Sequence, residues 1–262
     1  MSHAIALCQL APTATFTAVL SAVSRPAPQC RPAVSCASCC LRGVCLPCGM
    51  PEAELVGFDQ LISMKRKVTR GAALFRAGDR FEALYAVRSG GFKTVGGSRH
   101  GDEKITGFHL SGEMLGLDAI NSSRHGYDAV ALEDSEVCVF PFAPLEVAAL
   151  KSPALQHQLF RVLSSDISRD QGLMLLLGAM SAEQRLAAFL LSLSRRYQRL
   201  GFASNRFVLR MTREEIGNYL GLTLETVSRM LSRFQREGSI AVRQRDVELR
   251  NPDRLMELVG HR

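Results

Sequence analysis

The sequence predicts an α+β chain in three successive parts: a small antiparallel barrel or jelly roll, one long helix, and a C-terminal winged helix-turn-helix. Three observations predict it. Between about Leu55 and Phe142 short apolar runs are punctuated by Gly78, Gly90, Gly91, Gly96, Gly97, Gly101, Gly107, Gly112 and Gly116, the spacing of turns between short strands. After Pro153 the period lengthens, with Phe160, Leu163, Ile167, Asp170, Met174 and Leu177 separated by three or four residues as in the seam of a coiled coil. From Met211 two helix starts with capping residues follow one another across a tight turn at Gly221.

The parts divide the 262 residues as follows: 1–35 a flexible arm, 36–50 a cysteine-rich segment, 51–150 the barrel, 151–181 the long helix, and 182–262 the winged helix-turn-helix. The arm is rich in Ala, Pro, Ser and Thr and has no sustained period. It lacks Lys or Arg ahead of its apolar stretch, which argues against an export signal. No apolar run approaches the ~18 residues of a membrane span, so a soluble, cytoplasmic protein without a membrane partner is expected.

In the long helix, a seam that packs against a two-fold mate brings two copies of Asp170 together in partly dry surroundings, where like charges cost free energy. A homodimer of that kind is marginal and open to regulation. The alternative is a solvated Asp170 at the seam's edge that only sets register.

At the C-terminal end, Thr212 and Glu215 have the spacing of a capping box, and Ile216, Tyr219 and Leu220 share one face of the helix they open. Thr223 caps a second helix whose buried stripe is Val227, Met230, Leu231 and Phe234. That stripe leaves Glu225, Thr226, Ser228, Arg229, Ser232 and Arg233 outward. Arg229 has the donors for a bidentate pair with guanine, Glu225 accepts from a cytosine amino group, and Ser228 suits either kind of base. "SIAV" and "VELR" then read as a hairpin wing. From Ala182 onward there are 15 Arg, no Lys and 9 acidic residues, so six of the chain's seven net positive charges lie there. A polyanion, double-stranded DNA, is the partner this implies.

The eight cysteines are unevenly placed, five of them between Cys36 and Cys48. Without an export signal this favours reduced thiols kept for metal or redox chemistry over a disulfide framework. Cys36, Cys39 and Cys45 form C-x2-C-x5-C, and Cys138 lies far downstream; soft thiolates so arranged suit a four-iron cubane with one cysteine per iron. Cys48 extends the pattern to C-x2-C-x5-C-x2-C, which also suits a structural zinc. An iron-sulfur enzyme is disfavoured, since no dinucleotide loop, nucleophile elbow or second cluster motif is present.

The stretches "LFRAGD", "LYAVRSG", "GDEKITGFHLSGEMLGLDAI", "AEQRLAAFLLSLSRR" and "MTREEIGNYLGLTLETVSR" together resemble the Fnr-type (fumarate and nitrate reduction) oxygen-responsive regulators of the Crp/Fnr superfamily, from about Cys36 to the C-terminus. The resemblance implies a cyclic-nucleotide-binding-like jelly roll and a long dimerisation helix. It implies a [4Fe-4S] cluster on Cys36, Cys39, Cys45 and Cys138, leaving Cys40 and Cys48 outside the ligand set. It further implies TTGAT-type half-site reading by Glu225, Ser228 and Arg229, and Ile167 and Asp170 at the dimer interface. Transcription activation would then involve RNA polymerase, through the barrel loop near Gly97 to Gly101. The cyclic-nucleotide branch of the superfamily carries an Arg-Ser-Ala cassette where this chain has Tyr127, Asp128 and Ala129, so no cyclic nucleotide is expected. Cys40 departs from the small non-thiol residue, usually serine, expected after Cys39, which bears on the oxygen lability of the cluster. A cluster-free regulator of the same superfamily, answering to a small molecule, is the alternative.

Overall fold

In the computed structural model, which describes residues 35–97 and 103–260, the glycine-punctuated runs become short antiparallel strands. A coil of successive tight turns through residues 35–50 leads into helix α1 (Glu52–Asp59). There follow β1 (Met64–Val68), β2 (Ala73–Phe75), β3 (Ala83–Ser89), β4 (Gly91–Gly97), β5 (Glu103–Leu110), β6 (Met114–Leu115), β7 (Asp128–Ala131) and β8 (Ser135–Pro141). They form two four-stranded sheets of order β1-β8-β3-β6 and β2-β7-β4-β5. Val87, Leu115 and Val137 from the first sheet pack against Phe75, Phe92 and Ala129 from the second, which closes the jelly roll over one apolar core. Gly90, at φ +82°, turns β3 into β4; a Cβ there would lie 2.1 Å from Ser135 Oγ, so only glycine allows the approach.

Helix α2 (Phe142–Lys151) leads to α3 (Pro153–Ala179), the expected long helix. Its start is fixed by Ser152, whose hydroxyl accepts from the Leu155 N–H at 3.1 Å, and by Pro153 in the first turn. Leu46, Leu55, Phe58, Phe140, Leu145 and Leu155 form one buried cluster, so the cysteine coil, α1, the barrel and the first turns of α3 share a core.

Beyond α3 come α4 (Ala182–Arg199), β9 (Arg206–Val208), α5 (Arg213–Leu220), α6 (Leu224–Arg236), β10 (Ile240–Arg243), β11 (Asp246–Leu249) and α7 (Pro252–Val259). The predicted hairpin wing is present as β10 and β11, and β9 adds a third strand in the order β10-β11-β9. A three-residue strand is too short to show a period, so β9 was not legible. The core of this end also takes in Ile105, Phe108 and Leu110 of β5, so the DNA-reading end and the barrel are packed together. Among the described residues no helix is long and apolar enough to cross a membrane.

The expected arm, residues 1–35 with Cys8 and Cys30, lies outside the described residues except for residue 35, as do residues 98–101 of the proposed polymerase loop.

Candidate functional site

Cys138 sits in the middle of β8, facing Lys65 across the β1 register and Ala86 across the β3 register, so a rigid sheet holds it on both sides. The coil that carries the other cysteines is laid against this sheet. Its turns are closed by backbone bonds, Cys39 N–H to Cys36 C=O at 3.2 Å, Cys45 N–H to Leu41 C=O at 2.8 Å and Cys48 N–H to Cys45 C=O at 3.0 Å. The last residue of α1 ties down its beginning, since the Cys36 N–H donates to Asp59 Oδ1 at 2.6 Å.

Cys36, Cys39 and Cys138 line a cavity of about 280 Å³ together with Asp59, Lys65 and Arg88. Burial pushes the Cys36 thiol well up, and the Asp59 carboxylate beside it acts in the same direction. Burial also pushes Cys45 up to about 12, and raises Cys138 against the opposing influence of Arg88 and Lys65. Cys36 feels Cys45 and Cys138, and Cys45 feels Cys138 and Cys39, so all four share one electrostatic neighbourhood. As folded, Cys36, Cys45 and Cys138 hold their protons, and any metal they take must displace them.

Among the described residues no three His, Cys, Asp or Glu side chains converge on a site for a single metal ion. A tetrahedral zinc requires such convergence, whereas a four-iron cubane spreads its thiolates over four separate irons. Four soft thiols in one neighbourhood are the donor chemistry that a four-iron cubane takes. The Cys48 thiol donates to the Gly43 carbonyl at 3.1 Å inside the coil. Cys40 is exposed.

Sequence reasoning missed the residue that connects this site to the long helix. Gln158 of α3 is buried, and its Nε2 donates to the Cys45 carbonyl at 3.3 Å. A glutamine in an amphipathic helix reads as solvent-facing, and nothing local distinguishes it. Further along, Glu113, in the turn before β6, takes both ends of the Arg196 guanidinium, Nε to Oε1 at 2.8 Å and Nη2 to Oε2 at 2.6 Å, and lies 3.8 Å from Arg169 Nη1. One carboxylate thus joins the barrel to α3 and α4.

On the opposite side of α3 the predicted seam is exposed at Phe160, Ile167, Asp170 and Met174 and half-buried at Leu163 and Leu177. Phe160, Ile167 and Met174 are 61, 58 and 72 % exposed, and Asp170 is exposed among them.

In the helix-turn-helix the predicted caps are all formed. Thr212 and Glu215 make the reciprocal capping box, Gly221 ends α5 in the left-handed conformation, and Thr223 accepts from the Thr226 N–H to open α6. Val227, Leu231 and Phe234 are buried, whereas Met230, predicted with them, is only half-buried. Glu225 and Arg229 are outward and paired at 2.5 Å, and Ser228 accepts from Arg213 Nη1 at 3.3 Å. The three candidate base readers therefore occupy the first turns of one exposed helix face.

Two family descriptions match the chain: "Crp-like helix-turn-helix domain" over residues 184–258 and "Cyclic nucleotide-binding domain" over residues 65–149. The chain is 50% identical to the "Transcriptional regulatory protein btr" of Bordetella pertussis, covering 87% of this chain and 94% of that protein. It is 46% identical to the "Fumarate and nitrate reduction regulatory protein" of Escherichia coli strain K12, covering 87% and 92%. Among solved structures, FixK2 from Bradyrhizobium japonicum superposes with a TM-score of 0.68 at 31% identity, over 74% of this chain and 96% of that one.

Proposed function

The chain belongs to the Fnr-type transcription regulators of the Crp/Fnr superfamily, DNA-binding proteins and not enzymes, and from that premise we propose that it is an oxygen sensor controlling anaerobic gene expression. In this reading Cys36, Cys39, Cys45 and Cys138 hold a [4Fe-4S] cluster, and the protein then dimerises and binds palindromic TTGAT-type sites in the cytoplasm. When bound, such a cluster supplies an oxygen-labile inorganic link between the coil and β8.

The observation that carries the reading is that the coil bearing three of the thiols is hydrogen-bonded, through the Cys45 carbonyl, to Gln158 of the helix whose other face exposes Phe160, Ile167 and Met174. With the coil held against β8, Gln158 fixes the start of α3, and Ile167 with its apolar neighbours packs on a second copy. Asp170 opposes that packing, so the balance is fine, and a shift of a few kcal/mol changes the dimer fraction. Two α6 helices then reach successive major grooves, where Glu225, Ser228 and Arg229 read the bases. RNA polymerase is the further partner proposed, with Gly97 at the described edge of the loop that would meet it.

No cyclic nucleotide effector is proposed. In the Arg-Ser-Ala correspondence the arginine position is Tyr127, and the serine position is Asp128, whose carboxylate accepts the Ala77 N–H at 2.7 Å and faces Arg76 at 3.6 Å.

Anaerobically prepared protein should carry about four irons and four sulfides per chain. It should bind the palindrome specifically and lose that binding in air. Airless protein with Cys36, Cys39, Cys45 and Cys138 changed to serine should bind no better than the air-exposed protein; undiminished binding sinks the cluster reading, and colourless wild-type protein selects the cluster-free one.

A further inference from the structure

We propose that the C-terminal end of α5 is a positioning node, where Asn218 and Arg185 fix the DNA-reading unit against both the barrel and the end of α3, so that two copies present α6 at the spacing of a palindrome. The proposal rests on the dimeric DNA-binding reading above and goes beyond it by naming the residues that set the orientation.

β5 is the outer strand of its sheet, so its backbone groups have no further strand to pair with. The Asn218 side-chain amide takes that place, its Oδ1 accepting the Ile105 N–H at 2.7 Å and its Nδ2 donating to the Glu103 carbonyl at 2.9 Å. Lys104 of the same strand donates to the Asn218 main-chain carbonyl. Nearby, Lys93 pairs with Glu215 at 2.8 Å, and the Tyr219 and Phe108 rings lie 5.1 Å apart.

From α4, Arg185 holds the same helix end. Its Nη1 donates to the Leu220 carbonyl at 3.1 Å, its Nη2 to Leu177 at 2.8 Å and its Nε to Met180 at 3.0 Å. These carbonyls belong to the ends of α5 and α3, which lack partners within their helices and favour a cation. Gly221 closes this helix end in a backbone conformation, φ +66°, that side chains rarely adopt. One helix end thus touches the barrel and the end of α3, and Gly221 to Thr223 connect it directly to α6. The docking leaves the reading face open, with the Arg229 and Glu225 side chains 76 and 73 % exposed, so it orients the helix without covering it.

The test compares airless full-length wild type, Asn218→Ala, Asn218→Asp and Arg185→Gln for affinity to a palindrome and to DNA with a single half-site. Fixed orientation lowers the cost of engaging the second half-site and does nothing for the first. The variants should lose at least about tenfold on the palindrome while keeping half-site affinity and dimer mass by sedimentation. Retained palindrome affinity overturns the node. Equal loss on both DNAs by all three variants reduces these residues to a folding role, and tighter binding makes the docking inhibitory; either result overturns it too. A wild type that does not prefer the palindrome instead refutes the dimeric reading on which the node rests.

Discussion

The amide of Gln158 and the main-chain carbonyl of Cys45, 113 residues apart in sequence, are joined by a hydrogen bond of 3.3 Å at the boundary between the cysteine coil and the long helix. Gln158→Ala removes a buried side chain and leaves that carbonyl without its partner, which should cost about 1–3 kcal/mol in denaturant unfolding. The sharper expectation concerns coupling: the variant's dimer fraction, measured by sedimentation, should no longer respond to iron-sulfur loading. A response equal to that of wild type would mean that the signal takes another route.

Asp170 stands among the exposed apolar residues Phe160, Ile167 and Met174 of α3. Asp170→Ala takes away the like charge that opposes pairing of this face, so the variant should be dimeric in air. An unchanged monomer-dimer balance would show that Asp170 is solvated at the seam's edge.

Arg229 is exposed in the first turns of α6 and, among the described residues, is bonded to Glu225, a partner four residues away that it can leave for a base. Arg229→Ala should weaken specific binding by ~1–3 kcal/mol and relax base preference at one position of the half-site. A uniform loss over all sequences would assign the side chain to phosphate.

The acid limb of stability should divide between two neighbours. Burial, assisted by Arg169 and Arg196, lowers His109 from 6.5 to about 3. Burial alone would raise Glu113, but Arg196 and then Arg169 outweigh it and bring the carboxyl from 4.5 to about 2. Both folded values lie below the unfolded ones, so each group's contribution is complete above its ordinary value and is lost as pH falls toward the folded one. Unfolding of metal-free protein across pH should therefore show His109→Gln flattening the profile from 6.5 down to about 3, and Glu113→Gln leaving it unchanged above 4.5 and flattening it below. Parallel profiles for all three proteins would contradict this assignment.

Thr212, Glu215, Gly221 and Thr223 were legible because capping is a local matter: each side chain or φ angle serves a backbone group within a few residues. The glycine spacing of the barrel and the seam of α3 were legible for the same reason, as each reflects a short period. Asp59, Gln158, Arg185 and Asn218 were not. They are polar residues in helices, where a sequence pattern assigns them to solvent, and what holds them is a backbone group of a distant segment.

The sequence by itself determined the elements, the order in which they occur and the outward placing of Glu225 and Arg229 on α6, because these follow from local propensity and helical period. Only the tertiary structure decided that Cys138 of β8 meets the coil, that this coil grips α3, and that α5 closes the edge of the barrel. Those pairings depend on satisfying buried or edge backbone groups across more than a hundred residues, a requirement that no periodicity along the chain records.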